Sequence, residues 1–597
     1  MKNINLAGKS IIFGLAFHGL LFLPILLIPN GSVNSVTTIE TIPFGINNPY
    51  MEDERGNLPD ETSDLLKDLG VYWVSDSLSR SWTEIKPLTY DWSSTDNKIK
   101  EYKKEANLEI LFVINPFSNY EHKDGREHEG RYLPDGDQSF LAYKDYLTKL
   151  VTRYKGKVDI WSVSNEPKGE YQDNIDDYVK LVKTSYEIIK SIDPQAQVNL
   201  GGVGAGQKLD FHREVLEGLR EECPGTGCFD VFDYHTYSWN YRDYNIKNVI
   251  REKSGDCQIE FTKTHQDYKN LLESAGFGDK PIINKEGATH TGEFKDLNQP
   301  YWCYLVQTEF QQAEFLFKRA IHQLANNIKM INWSTLGEKE KGDCDVRFTI
   351  TGLIYGGLDE CNKDNPYDAG MGVKKLSYYT YKFLIEKLKS SDFNNVRIIN
   401  TSVPNVYLYE LNQEDKPLYV SWWDYFAQGE SGETKTATLS LLDINAPQVK
   451  ITQAIPNFLY DFQTKKIQLN ERDYPDFFDS SLEFVSGNTI TVTLSKKPVF
   501  IDGFNSLRII NPKNKARLTP DSTLKILIDP GDVTNIKNVY FFIDDKNKCQ
   551  DSGLDKEGYY ACDWKTPKKS KQSYEITVKA YNKSELIAED SIDVVVD

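Results

Sequence analysis

The feature that most constrains this chain is an alternation between residue 41 and about residue 390. Eight short apolar runs are each followed by a longer amphipathic stretch. The runs are Ile42–Asn47, Val71–Ser75, Glu109–Asn115, Val158–Ser164, Val198–Val203, Val231–His235, Pro281–Lys285 and Lys329–Ser334. Helical periodicity fills 60–69, 94–106, 138–155, 174–192, 208–221, 262–275, 304–326 and 373–389. Eight strands each followed by a helix is the count of a closed (β/α)8 TIM barrel, an α/β fold, and not of an open doubly wound sheet. The runs are nearly continuous in apolar residues, as strands covered on both faces must be.

After the last helix the texture changes. The stretches 406–411 and 417–423 flank a polar turn, strands follow at 436–442, 448–454 and 489–495, and the segment closes at 497–503. This reads as a β-sandwich over 393–505. A second run of alternating segments, at 539–545, 559–564 and 574–582, suits an immunoglobulin-like domain over 506–597. The barrel then spans 40–392.

The first 35 residues stand apart. Lys2 and Lys9 precede a charge-free apolar run from Ile11 to Ile28, and the next charge is Glu40. That pattern predicts a signal peptide or an N-terminal membrane anchor, with the bulk of the chain secreted or displayed outside. Eight cysteines, an even number, fit an oxidising compartment, and the local pairs are Cys223/Cys228, Cys344/Cys361 and Cys549/Cys562. The last would clip a hairpin in the terminal domain. A net charge of −18 without any basic stripe excludes a nucleic-acid partner. Contact with a membrane is expected only through an uncleaved N-terminal segment.

Two carboxylates fall where barrel strands end. Glu166 follows Asn165 and precedes Pro167 after the fourth run, and Glu286 follows the seventh. In a barrel, strand ends four and seven face one mouth. Two opposed carboxyls there match the demands of glycosidic cleavage, in which one is protonated to assist the leaving oxygen and the other ionised.

With Asn-Glu-Pro after strand four, His235-Thr236-Tyr237 after strand six and Glu286 after strand seven, the sequence resembles clan A of the glycoside hydrolases, which holds families 5 and 39. The resemblance covers the whole barrel. It implies that Glu166 is the acid/base, Glu286 the nucleophile, and Asn165 the partner of the sugar 2-hydroxyl. It further implies that His235 and Tyr237 line the pocket, with Tyr237 bonded to the nucleophile. By the same resemblance Trp333 is expected to be the aromatic floor of the sugar subsite, and Arg80 the arginine under the nucleophile. Trp82, Glu84 and Tyr90-Asp91-Trp92 resemble the segment after strand two. No cofactor and no metal is implied; the partner is a carbohydrate substrate. Lys285, where the family has Thr or Gly, is expected to point away on a strand, and Glu293 is the fallback nucleophile. His290 and Glu293 read as solvated loop residues. A rival class is a non-catalytic cell-surface glycan-binding protein on the same barrel. A metal-dependent barrel hydrolase built on His235 and His290 is another, although the first strand carries no His-x-His. Endo or exo action rests on the loops 116–137, 238–261 and 337–370.

Overall fold

The computed structural model describes residues 42–49, 62–120, 127–128, 131–171, 173–203, 209–237, 265–292, 307–338, 350–357, 370–413, 416–424, 434–441, 444, 446, 448–457, 474, 477–504, 507–533, 535–568 and 572–597. The N-terminal segment 1–35, Glu293 and the pair Cys344/Cys361 lie outside them. No helix among the described residues is long and apolar enough to cross a membrane.

Eight parallel strands close into a barrel in sequential order: β1 (Phe44–Asn47), β2 (Trp73–Ser79), β3 (Glu109–Asn115), β4 (Ile160–Val163), β5 (Gln197–Val203), β6 (Val231–His235), β7 (Ile282–Glu286) and β8 (Ile331–Ser334). The helices around it are α1 (Thr62–Leu69), α2 (Ser93–Ile99, running on as a π-helix over Lys100–Glu105), α3 (Asp137–Tyr154), α4 (Ile175–Ile192), α5 (Leu209–Glu222), α6 (His265–Ala275), α7 (Glu309–Ala325) and α8 (Leu376–Leu388). The sequence expectation of a (β/α)8 barrel is met, with ends shifted by a few residues as helix and strand ends commonly are.

Alternation along each strand sorts side chains into two sets. Trp73, Leu111, Val113, Ile160, Val231, Ile283 and Met330 fill the lower barrel interior as one apolar cluster. Above them the interior turns polar. The Ser75 hydroxyl donates to Asn47 Oδ1 at 2.7 Å, Asn332 Nδ2 to Ser75 Oγ at 3.1 Å, and Asn199 Nδ2 to Ser162 Oγ at 2.9 Å. All five residues are buried, so these bonds satisfy groups whose desolvation is otherwise costly. Gly45 of β1 makes room for this layer, since a Cβ there would lie 2.3 Å from Asn332 Oδ1. A dry lower plug and a hydrogen-bonded upper layer leave the chemistry at the C-terminal mouth.

Beyond the barrel a six-stranded sheet runs in the order Arg397–Ile398, Val406–Gln413, Lys416–Trp423, Val499–Phe504, Gln448–Gln453, Ser480–Phe484. Its second layer is the pair Lys435–Ser440 and Thr489–Leu494, and the residues between form a separate apolar core. The other face meets the barrel helices: Phe500 packs edge-on against Phe317 of α7 and Phe383 of α8, and Lys318 pairs with Asp424 at 2.9 Å. The terminal region is a sandwich of a three-stranded and a five-stranded sheet with its own core. Cys549 and Cys562 are bonded, but Cys549 lies in the five-stranded sheet and Cys562 in the three-stranded one. The bridge therefore ties two sheets and does not clip one hairpin. Cys223 and Cys228 are also bonded, closing the turn after α5.

Candidate active site

β4 ends at Val163, and the chain then turns sharply. Ser164 and Glu166 both take left-handed backbone, with φ of 67° and 47°. Such a conformation is uncommon for residues with a side chain and is concentrated at functional sites. It frees Glu166 from strand alternation, and its side chain is 36% exposed at the mouth.

Glu286 ends β7 with its side chain 15% exposed. Tyr237, two residues past β6, donates its hydroxyl to Glu286 Oε1 at 2.9 Å. His235 lies between the carboxylates: Nδ1 is 2.6 Å from Glu166 Oε1 and 3.7 Å from Glu286 Oε2. One ligand atom from each of Glu166, His235 and Glu286 lies within 4.8 Å of the others. The two carboxyls that sequence reasoning singled out thus converge across the mouth, bridged by an imidazole.

Two more residues complete the group, Asp233, which the sequence reading passed over, and Lys285, which it turned away from the site. Asp233, buried on β6, stands 3.2 Å from His235 Nε2 and accepts the backbone N–H of Lys285 at 3.1 Å. Its signal was present, because Asp233 and His235 are two apart on one strand and share a face. Lys285 corrects an expectation. Its ammonium does not point away; it donates to Asn165 Oδ1 at 2.8 Å and to Glu286 Oε2 at 3.1 Å, and the residue is 1% exposed. Alternation holds through Ile283, which faces the interior, and Asn284, which bonds Arg319 of α7. The pairing of β6 with β7 then slips between Asp233 and His235, bringing His235 opposite Glu286. That slip lets consecutive residues, Lys285 and Glu286, reach the same space.

The charges follow from this crowding. Burial opposes ionisation of Glu286, but His235 and Lys285 outweigh it and, with the Tyr237 bond, lower its pKa to about 2. Burial and Lys285 oppose a charge on His235, yet Glu286 and Asp233 prevail and raise it to about 9. At neutral pH the site holds an anionic Glu286 and a cationic His235.

Three further expectations are corrected. Trp333 is 1% exposed and faces outward from the barrel, edge-on to Phe315 of α7, with Nε1 donating to the Thr351 carbonyl. Its neighbour Asn332 holds the inward position on β8, so parity turns Trp333 to the helix layer and away from a sugar. Arg80 is buried just past β2, where its Nε lies 3.0 Å from Glu84 Oε2. Lys285, and not Arg80, is the side-chain cation bonded to Glu286. Glu84 is itself bonded by the Ser118 hydroxyl at 2.6 Å. His290 is fully buried against Gln307, not solvated.

Among the described residues the one cluster with metal-ligand geometry is Glu166, His235 and Glu286. The chemistry of the set disfavours an ion there. Lys285 already neutralises Glu286, and His235 would have to lose a strongly held proton before it could ligate.

Comparison with known proteins agrees with the architecture. A family 39 glycoside hydrolase from the gut symbiont Bacteroides cellulosilyticus WH2 aligns with a TM-score of 0.55 at 15% identity, covering 78% of this chain and 81% of that one. A monomeric beta-xylosidase from Caulobacter crescentus CB15 aligns at 0.50 with 14% identity, over 78% and 97%. At such identity the likeness is one of fold. Residues 506–578 match a family model described as a bacterial Ig domain. No curated protein matches the chain.

Proposed function

We propose that this protein is an exported glycoside hydrolase that cleaves O-glycosidic bonds of a poly- or oligosaccharide with retention at the anomeric carbon. The observation that carries the reading is the convergence of Glu166 and Glu286 with His235, one ligand atom of each within 4.8 Å of the others. Retaining enzymes place their carboxyls about 5–5.5 Å apart, and inverting enzymes leave a wider gap for water.

In the first step a Glu286 oxygen attacks the anomeric carbon. The bond to the leaving oxygen breaks, and Glu166 gives that oxygen its proton. In the second, Glu166 takes a proton from water, whose oxygen attacks the anomeric carbon and releases Glu286. The lowered pKa of Glu286 keeps the nucleophile ionised at any physiological pH. His235, oriented by Asp233, fixes the Glu166 carboxyl beside the scissile bond. Asn165 approaches the sugar 2-hydroxyl. The fold neighbours named as a family 39 glycoside hydrolase and a beta-xylosidase support the same class. Export is supported by the N-terminal charge pattern, the two disulfides and the bacterial Ig match.

The test is a panel of aryl β-glycosides and polysaccharides offered to wild type, Glu286→Ala and Glu166→Ala. Loss of the nucleophile is expected to cost roughly a thousandfold or more. Loss of the acid costs about 10²–10⁴-fold, most for poor leaving groups. Binding without turnover by folded wild-type protein would favour the glycan-binding alternative instead.

A further inference from the structure

Among the described residues ten large apolar side chains stand exposed, and three of them lie in one short stretch: Trp82 at 72%, Ile85 at 52% and Leu88 at 47%. Apolar residues scattered singly over a surface need no explanation, but several gathered on one element mark a place where something docks. The stretch begins just past β2, at the end of the barrel where Glu166 and Glu286 stand. Trp82 occupies a helical turn, Arg80–Thr83, and the other two belong to the hairpin that pairs Glu84–Lys86 with Thr89–Tyr90.

The backbone here is held firmly. Arg80, Ser81, Thr83 and Glu84 are all buried, so Trp82 alone of the turn faces solvent. The Thr83 hydroxyl donates back to the Ser79 carbonyl at 2.8 Å. Three consecutive residues after β3 clamp the rest. The Ser118 hydroxyl donates to Glu84 at 2.6 Å, the Asn119 amide to the Ser81 carbonyl at 2.7 Å, and the Tyr120 hydroxyl to the Ile85 carbonyl at 2.5 Å. An indole on so fixed a frame has little ordering left to lose when a ligand arrives.

We propose that Trp82 is the platform for a sugar ring remote from the bond that is cleaved, so that the substrate is a chain of neutral pyranoses and not a single-sugar glycoside. This rests on the glycosidase reading above. β7, β8, β1 and β2 are successive neighbours in the barrel wall, and at about 4.8 Å per step the end of β2 lies roughly 14 Å along the wall from that of β7. One pyranose at Glu286 does not bridge that span; a chain of several does. The occupant of the platform is thus the continuation of the occupant of the mouth. A pyranose offers a face of C–H groups to an aromatic ring, and the indole N–H keeps a donor for a hydroxyl. Ile85 and Leu88 add apolar surface without charge, which suits neutral rings and penalises the desolvation of ionised ones.

The experiment measures kcat/KM for aryl β-glycosides carrying one to four units of the sugar that is hydrolysed best, in wild type, Trp82→Ala and Trp82→Phe, with the thermal midpoint and solution mass of each. Beside it, calorimetry follows the binding of cello-, xylo- and mannotetraose to Glu286→Ala with and without Trp82→Ala. Wild type is expected to gain with length. Trp82→Ala should lower the four-unit to one-unit ratio by roughly tenfold at an unchanged midpoint, and Trp82→Phe should keep most of it. Damage to the fold would instead lower the midpoint and slow both substrates alike, leaving the ratio as it was.

An unchanged ratio in folded Trp82→Ala overturns the proposal. So does a fall in solution mass with the ratio intact, which assigns the patch to a second copy of the chain. Should the alanine variant not fold, Trp82→Gln is read by the same ratio. A wild type that hydrolyses no glycoside yet binds a tetraose through Trp82 keeps the platform and fails the glycosidase reading, whereas one that neither hydrolyses nor binds overturns both.

Discussion

Gly202 of β5 lies behind the pair that holds the acid/base, and replacing it with alanine is a severe local test of the site. A Cβ at 202 would lie 2.1 Å from His235 Nε2, 2.5 Å from Asp233 Oδ2 and 2.7 Å from His235 Cδ2. Ordinary contact begins near 3.4 Å, so the imidazole must retreat by about 1.3 Å (3.4 minus 2.1). It has nowhere to go. On its far side Nδ1 is already 2.6 Å from Glu166, and the side chains of His235 and Asp233 are both fully buried. Either His235 releases Glu166 or the strand itself shifts. A misplacement of about 1 Å at a catalytic constellation costs on the order of 100-fold in rate. Overpacking of this kind costs about 1–3 kcal/mol in stability. The assay is kcat/KM on the best aryl glycoside together with the thermal midpoint, with Gly169→Ala as control, since a Cβ there meets nothing within 4 Å. A Gly202→Ala enzyme within about threefold of wild type, with an unchanged midpoint, would refute the placement of His235 and the role drawn from it.

Three other outcomes follow. The folded pKa of His235, about 9, lies above its free value of 6.5, so the stabilisation from its charged form is complete below pH 6.5 and lost as pH rises through 9. The displacement is equivalent to about 3 kcal/mol; urea unfolding at pH 6.5 and 9.5 should show wild type losing that much more than His235→Asn, and equal losses would contradict it. Trp333→Phe keeps the packing against Phe315 but forfeits the bond to Thr351, so the protein should lose about 1 kcal/mol while KM for short substrates stays at its wild-type value. A large rise in KM would return Trp333 to the sugar site. Arg80→Met removes the guanidinium held 3.0 Å from buried Glu84 and should destabilise the barrel by about 3–5 kcal/mol, read as a fall in thermal midpoint, without moving the acidic limb of activity.

The barrel was legible because its strands are covered on both faces, so burial alone writes them as apolar runs between amphipathic helices. The two glutamates were legible because each stands within two residues of the end of such a run. What escaped were questions of which way a side chain turns. Lys285 was expected to point away because Glu286 was taken to hold the inward position; parity from Ile283 turns Lys285 inward, and the slip in pairing at the end of β6 brings Glu286 to the same space. Trp333 was assigned to the pocket, yet the inward position on β8 belongs to Asn332, whose amide the polar layer above the plug requires. Arg80 was given its role by the family resemblance, but the fold pairs it with Glu84 four residues on. Asp233 carried a readable pattern with His235 and was overlooked. For Lys285 and Trp333 parity or register, set with neighbouring strands far off in sequence, decided the outcome.

The most direct test of the central claim is to incubate the protein with activated aryl 2-deoxy-2-fluoro-β-glycosides, which slow release of a glycosyl-enzyme more than its formation, and to map any adduct by mass spectrometry. The account predicts one added sugar per chain, carried on the peptide containing Glu286 and absent from Glu286→Ala. Turnover of the parent glycoside with no adduct from any of these reagents, or an adduct on a different residue, would contradict it.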